Sequence, residues 1–89
     1  MKVVLDGCLM IDRDAVHDVL SERLAFPAYY GRNLDALYDL LTSYPDALDI
    51  AIMNTSAMIE QLGHYGQALV DTLYDASNEN PKVSVSIFS

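Results

Sequence analysis

Apolar and polar positions change period several times along the chain, and each change marks an element. Val3-Val4-Leu5 is a short apolar run closed by Asp6-Gly7, the pattern of a buried strand ending in a turn. Behind Asp12 and Asp14, either of which suits an N-cap, Val16, Leu20 and Leu24 recur at helical spacing. Phe26-Pro27 ends that helix, because a residue before proline avoids the helical region. Ala28 to Arg32 is a loop rich in tyrosine and glycine, and Asn33 is a good N-cap for a second helix reaching about Ser43. Leu48 to Met53 is bulky and alternating, a second strand. Thr55 or Ser56 caps a short helix that Gly63 breaks, and a fourth helix is expected from about Gly66 to Ser77. Asn78 to Pro81 reads as a turn, and Val83 to Phe88 alternates as the clearest strand of all. The expected order is β-α-α-β-α-α-β. Strands joined through helical crossovers favour an α/β fold with a three-stranded parallel sheet, right-handed connections and about four helices. Three short strands need helices over much of the sheet to close a core.

The second helix carries two unlike faces. Residues advance by about 100° each, so with Asp35 at zero, Asp39 falls near ~40°, Thr42 near ~340° and Tyr38 near ~300°. Leu34, Leu37, Leu40 and Leu41 cluster on the other side, around ~140–260°. The leucines are core. The opposite face, with Asp35, Tyr38, Asp39 and Thr42, breaks local rules. Asp35 lies in the first turn, where the helix dipole favours a negative charge. Asp39 lacks that support: aspartate is a poor interior helix former, and a like charge at i−4 costs about 0.2–0.5 kcal/mol. No Lys or Arg stands three or four places from Asp39. A local rule broken without local compensation is where function is expected. Tyr29-Tyr30-Gly31 leads into this helix and Tyr44 leaves it. Tyrosines beside carboxylates suit a binding surface, since tyrosine offers large area at low entropy cost. Tyr30 is expected to pack beneath the loop.

Charge placement sharpens this picture. The net charge is −8, yet the first 32 residues hold four of the five bases. Between Asn33 and Pro81 there are eight acids and no Lys or Arg. Such a segment repels phosphates, so direct binding to nucleic acid or an anionic membrane is not expected, whereas a basic partner would be attracted. The 89 residues fit one domain. The single cysteine, Cys8, forms no internal disulfide, which fits a reducing compartment. Charge interrupts the N-terminus after three apolar residues, too soon for a signal-peptide core, and no apolar run approaches a membrane span. A cytoplasmic location is expected.

The stretch Phe26-Pro27-Ala28-Tyr29-Tyr30-Gly31-Arg32-Asn33-Leu34-Asp35-Ala36-Leu37-Tyr38-Asp39-Leu40-Leu41-Thr42 resembles the signature of the barstar family, intracellular inhibitors of secreted, barnase-type ribonucleases. Chain length, element order and the serine-ended last strand agree as well, so the resemblance extends over residues 1–89 as one domain. It implies a bacterial inhibitor that binds a basic ribonuclease one-to-one as a monomer and occludes its active site. Asp39 would occupy the place of the scissile phosphate, and Asp35 would pair with further Arg or Lys groups. Tyr29 would stack on the catalytic histidine of the enzyme, Tyr30 would belong to the same loop, and Gly31 and Asn33 would shape the loop contact. Tyr38, Thr42, Ser43 and Tyr44 would form the rim, with Asp75 as an outlying contact from the last helix if that helix shifts by one residue; otherwise Ala76 falls there. Departures from the best-known member include tyrosines for tryptophans at positions 38 and 44, Arg32 for a glutamate, and Ser43 for a glycine. Arg32 puts a positive charge on a face meant for a basic enzyme, a cost if it points inward.

Other readings use the same residues. The surface could serve an immunity protein for another toxin, such as a contact-delivered nuclease, or a regulator of some other basic partner. Asp35 and Asp39 at i, i+4 could hold a divalent cation, although hard-metal sites usually need more oxygen ligands. His17 and His64 have no ligand spacing to each other or to Cys8, and are expected as ordinary surface or half-buried histidines. No Ser-His-Asp or Cys-His order and no glycine phosphate loop stands out. No enzymatic activity, cofactor or metal is expected.

Overall fold

Alternation in three strands aims one set of side chains at a layer of helices and the other at solvent. In the computed structural model, which describes residues 1–89, these strands are β1 (Lys2–Asp6), β2 (Leu48–Met53) and β3 (Val83–Ile87). They lie side by side in the order β1-β2-β3, all parallel, with Val3 opposite Ile50 and Ile50 opposite Val85. Helices α1 (Arg13–Leu24) and α2 (Leu34–Thr42) connect β1 to β2, and α3 (Thr55–Leu62) and α4 (His64–Glu79) connect β2 to β3. The order is the β-α-α-β-α-α-β expected from the sequence. Val3, Leu5, Leu48, Ile50, Ile52 and Val83 are buried on the helix side, whereas Lys2, Val4, Asp49, Ser84 and Ser86 face out. The helices therefore cover one face of the sheet only.

The core is the meeting of those strand residues with Val16, Leu20 and Leu24 of α1, Leu37 and Leu41 of α2, Met58 of α3, and Leu69, Leu73 and Ala76 of α4. Each fully buried leucine contributes roughly 1.5–3 kcal/mol relative to exposure. Because α2 packs chiefly on α4, the acidic helix sits on a second helix and is not laid directly on the sheet.

Four boundaries differ from the sequence pattern, each for a physical reason. A single 3-10 turn, Gly7–Leu9, follows β1, capped by the Asp6 carboxylate, which accepts from the Cys8 N–H at 2.9 Å. Gly7 is required there because a Cβ would lie 2.5 Å from the Asn54 carbonyl oxygen. Asn54, in the left-handed region with φ 56°, precedes α3 in place of Thr55 or Ser56. Thr55 is buried and donates its N–H to the Phe88 carbonyl, so it is used at the sheet end. Helix α4 starts at His64 because Gly63 ends α3 and opens α4 at once, and Gly66 is not its start. Gly66 is buried inside the helix, where a Cβ would come within 2.9 Å of the Ile59 Cα, so it serves close packing of α3 on α4. The helix continues to Glu79 and stops at Asn80, whose extended backbone is the conformation a residue before proline prefers.

Candidate functional site

Helix α2 is held at both ends by side chains that the chain supplies for the purpose. At its start Asn33 accepts the Ala36 N–H at 2.7 Å on Oδ1 and donates through Nδ2 to the Gly31 carbonyl at 3.1 Å. One side chain thus caps the helix and fastens the loop before it. At its end the buried Asn80 donates through Nδ2 to the carbonyls of Leu41 and Tyr44, each at 3.0 Å. The hydroxyls of Thr42 and Ser43 turn back to their own helix, donating to the Tyr38 carbonyl at 2.9 Å and the Asp39 carbonyl at 2.8 Å. These contacts add side-chain donors to the last turn of α2 and fasten the segment that leaves it.

Between the two ends the expected faces appear. Leu37 and Leu41 are fully buried, Leu34 and Leu40 half-buried, while Asp35 and Asp39 are exposed and Tyr38 and Thr42 half-buried. Neither Asp35 nor Asp39 has an ion-pair partner, and no basic residue lies in the last turn of α2 to offset Asp39. No group of three His, Cys, Asp or Glu side chains converges here or elsewhere. The Tyr38 hydroxyl is held above the usual range for a phenol, first by desolvation and then by the carboxylates of Glu79, Asp75 and Asp39. The negative field of α2 therefore continues onto α4. Asp75 is exposed on that side while Ala76 is fully buried, so the acid and not the alanine faces outward beside Tyr38. Glu79 joins the same patch and had no signal in the sequence beyond its charge.

The loop divides its two tyrosines. Tyr29 is 81 % exposed and Tyr30 is 7 % exposed, buried as expected. Tyr30 packs on Phe26 with ring centroids 4.7 Å apart, and burial pushes its hydroxyl up to about 12. Tyr29, Gly31, Ala36, Asp39 and Leu40 line a shallow trough between loop and helix. Gly31 lies so close to the helix that a Cβ would meet that of Ala36 at 3.1 Å. Tyr44 is half-buried at the far end, beside Leu40 and Phe26.

Arg32 does not point into this surface. Its backbone adopts φ 54°, and its Nη2 donates to the Asp18 carboxylate at 2.8 Å and the Asp14 carbonyl at 3.1 Å, both on α1. This is the one ion pair in the structure. His17, read from the sequence as a surface or half-buried residue, is instead buried beneath the loop, bonded to Tyr30 and Tyr65. His64 is exposed.

The chain is similar to known proteins along this whole arrangement. It is 37 % identical over 79 residues to the Bacillus subtilis (strain 168) protein named "Putative ribonuclease inhibitor YrdF", covering 88 % of this chain and 87 % of that one. The family model described as Barstar (barnase inhibitor) matches residues 1–89. With its parallel three-stranded sheet and its Asn33-capped acidic helix, the chain belongs to the barstar family.

Proposed function

We propose that this protein is an inhibitor of a basic bacterial ribonuclease, acting inside the cell and binding its target one-to-one through α2 and the loop from Tyr29 to Asn33. The observation that carries this reading is the contrast in charge pairing: Asp35 and Asp39 stand exposed without a cation, while the nearby Arg32 is drawn off to Asp18. Two carboxylates on one helix face imitate consecutive phosphates of an RNA strand, with Asp39 in the place of the scissile phosphate and Asp35 beside it. Tyr29 offers an exposed ring to the catalytic histidine of the enzyme, and Gly31 permits the close approach of that loop. Tyr38, Thr42, Ser43 and Tyr44 form one rim and Asp75 the other. Charge complementarity of this kind speeds the encounter and fixes its orientation.

Family membership supports the inhibitor role, and the related B. subtilis protein carries the same function in its name. A calorimetric titration against a barnase-type ribonuclease, run beside an RNA-cleavage assay, tests the reading with wild type and Asp39→Ala. The expected result is one-to-one binding that abolishes cleavage and that the substitution undoes. Absence of binding at micromolar concentrations would overturn it and assign the acidic face to another basic partner.

A further inference from the structure

Three side chains from separate elements meet beneath the loop. His17 of α1 is 2 % exposed, with Nδ1 2.7 Å from the Tyr30 hydroxyl and Nε2 2.6 Å from the Tyr65 hydroxyl. Tyr30 belongs to the loop and Tyr65 to the first turn of α4, so the imidazole joins loop, α1 and α4. The far end of this chain is secured in turn, because the Arg13 guanidinium lies 4.4 Å over the Tyr65 ring.

The chemistry of the chain has a definite requirement. A neutral imidazole holds one N–H and one lone pair, and a phenol hydroxyl can donate or accept. The tautomer with its proton on Nε2 meets both needs: the buried Tyr30 hydroxyl donates to Nδ1, and Nε2–H donates to the hydroxyl of the half-buried Tyr65. An imidazolium donates at both nitrogens and leaves both hydroxyl protons to find other acceptors. The Tyr30 hydroxyl makes no hydrogen bond except to His17, and it is buried. Protonation would therefore strand a buried donor, which carries the full cost of its desolvation.

We propose that the Tyr30–His17–Tyr65 chain is a positioning device for the binding loop, in which Tyr65 on α4 acts through His17 to seat Tyr30 and thereby sets how Tyr29 and Gly31 meet the partner. The clause about the partner rests on the inhibitor reading; the seating of the loop does not. None of the three is an outward-facing side chain of the acidic surface. Each acts through its neighbour.

The charged groups around His17 agree with a neutral ring. Burial lowers its proton affinity, and Arg32 from the loop lowers it further, against opposing contributions from Asp14 and Asp18 on α1. Arg13 and Tyr65 close the remaining side. The unfolded chain then takes up this proton first as pH falls through the ordinary imidazole value near ~6.5. The contribution of the neutral ring to stability is full above that pH and declines below it.

Tyr65→Phe keeps the ring and removes the hydroxyl, so it tests the chain without emptying the core. In the free protein, hydrogen exchange of the Tyr30 amide, which is bonded to the Pro27 carbonyl at 3.0 Å, should rise roughly fivefold, with the amides of β2 and the second half of α4 unchanged. Loop exchange in the wild type, corrected for intrinsic rates, should also rise as pH falls below ~6.5, and this pH step should flatten in Tyr65→Phe. Against a barnase-type ribonuclease at neutral pH, dissociation should speed up by about the same fivefold factor while association is unchanged. Wild-type loop exchange in Tyr65→Phe would overturn the proposal, as would a uniform rise across sheet and helices, which marks general destabilisation. If the wild type itself fails to bind the ribonuclease, the inhibitor reading falls, and the exchange and pH measurements on the free protein still decide whether the loop is seated this way.

Discussion

Helices α1 and α2 begin alike and end in different electrostatic states. Each is opened by a polar side chain that accepts an N–H three residues on, Asp12 from Ala15 and Asn33 from Ala36. Each puts an aspartate in its first turn and buries leucines on one side. On α1 one acid, Asp18, pairs with Arg32, and Arg23 stands in the last turn, where the dipole favours it. On α2 neither Asp35 nor Asp39 is ion-paired, and the helix ends without a basic residue. Folding alone accounts for α1. The charges on α2 are complete only in the presence of something positive.

The largest expected effect is at Asp39. When a cationic site has closed around a carboxylate, removing the carboxylate leaves the cations desolvated and unpaired, at a cost of about 3–5 kcal/mol. Asp39→Ala should therefore weaken ribonuclease binding by a hundredfold or more in titration calorimetry. Its urea unfolding free energy should move by less than ~0.5 kcal/mol, toward greater stability, as a like-charge i, i+4 pair disappears. The matched change on α1, Asp14→Ala, should leave affinity within about 0.5 kcal/mol of wild type. Equal losses from both substitutions would erase the distinction between the helices.

Gly31→Ala comes next. The added Cβ must push against Ala36, shifting the loop relative to α2, and overpacking of this kind costs about 1–3 kcal/mol. Much of that displacement falls on the Tyr29 side of the trough, so affinity should drop about tenfold, read as faster dissociation in surface-binding kinetics. Unchanged dissociation would show that the loop is not a contact.

How much of this was legible in the chain follows from distance along it. The whole of α2 could be read from ten consecutive residues, Asn33 to Thr42, because the leucine stripe, the Asn33 cap and the two aspartates of the outer face are all local. The parallel sheet followed from strand spacing. Gly66 misled because a buried glycine at a helix–helix contact looks, in one dimension, like a helix start. His17 was underestimated because its two partners stand 13 and 48 residues away, and nothing near it in the chain reveals them. Asn80 closes α2 from 39 residues beyond Leu41 and is invisible for the same reason. Arg32 was ambiguous in sign of effect, since its direction depends on a left-handed backbone that no local pattern announces.

Salt separates the helices in a graded way. On the proposed function, the acids of α2 would act on an approaching cationic enzyme through water, where the screening length is about 8 Å at physiological ionic strength. The association rate should fall steeply between low and physiological salt, measured by stopped-flow fluorescence, and the slope should shrink in Asp35→Asn. A flat dependence would remove steering from the account.

The smallest effect tests why α1 matters to α2 at all. Asp18→Asn removes the charge that holds Arg32 and changes the shape of nothing else. The exposed pair itself is worth at most about 1 kcal/mol, so unfolding should scarcely change. Arg32 and Asp35 line the same cleft, together with Asn33 and Leu34. Released from Asp18, the guanidinium becomes free to turn toward Asp35, placing a positive charge on the face proposed to meet a basic enzyme. Association should slow by a few-fold at low salt and converge with the wild type at high salt, where both fields are screened. The double variant Asp18→Asn with Arg32→Gln should recover the wild-type rate or exceed it, because the net change is then the loss of a matched pair. If the double variant stays slow, Asp18 contributes its own negative charge to steering, and the two helices act on the partner as one surface.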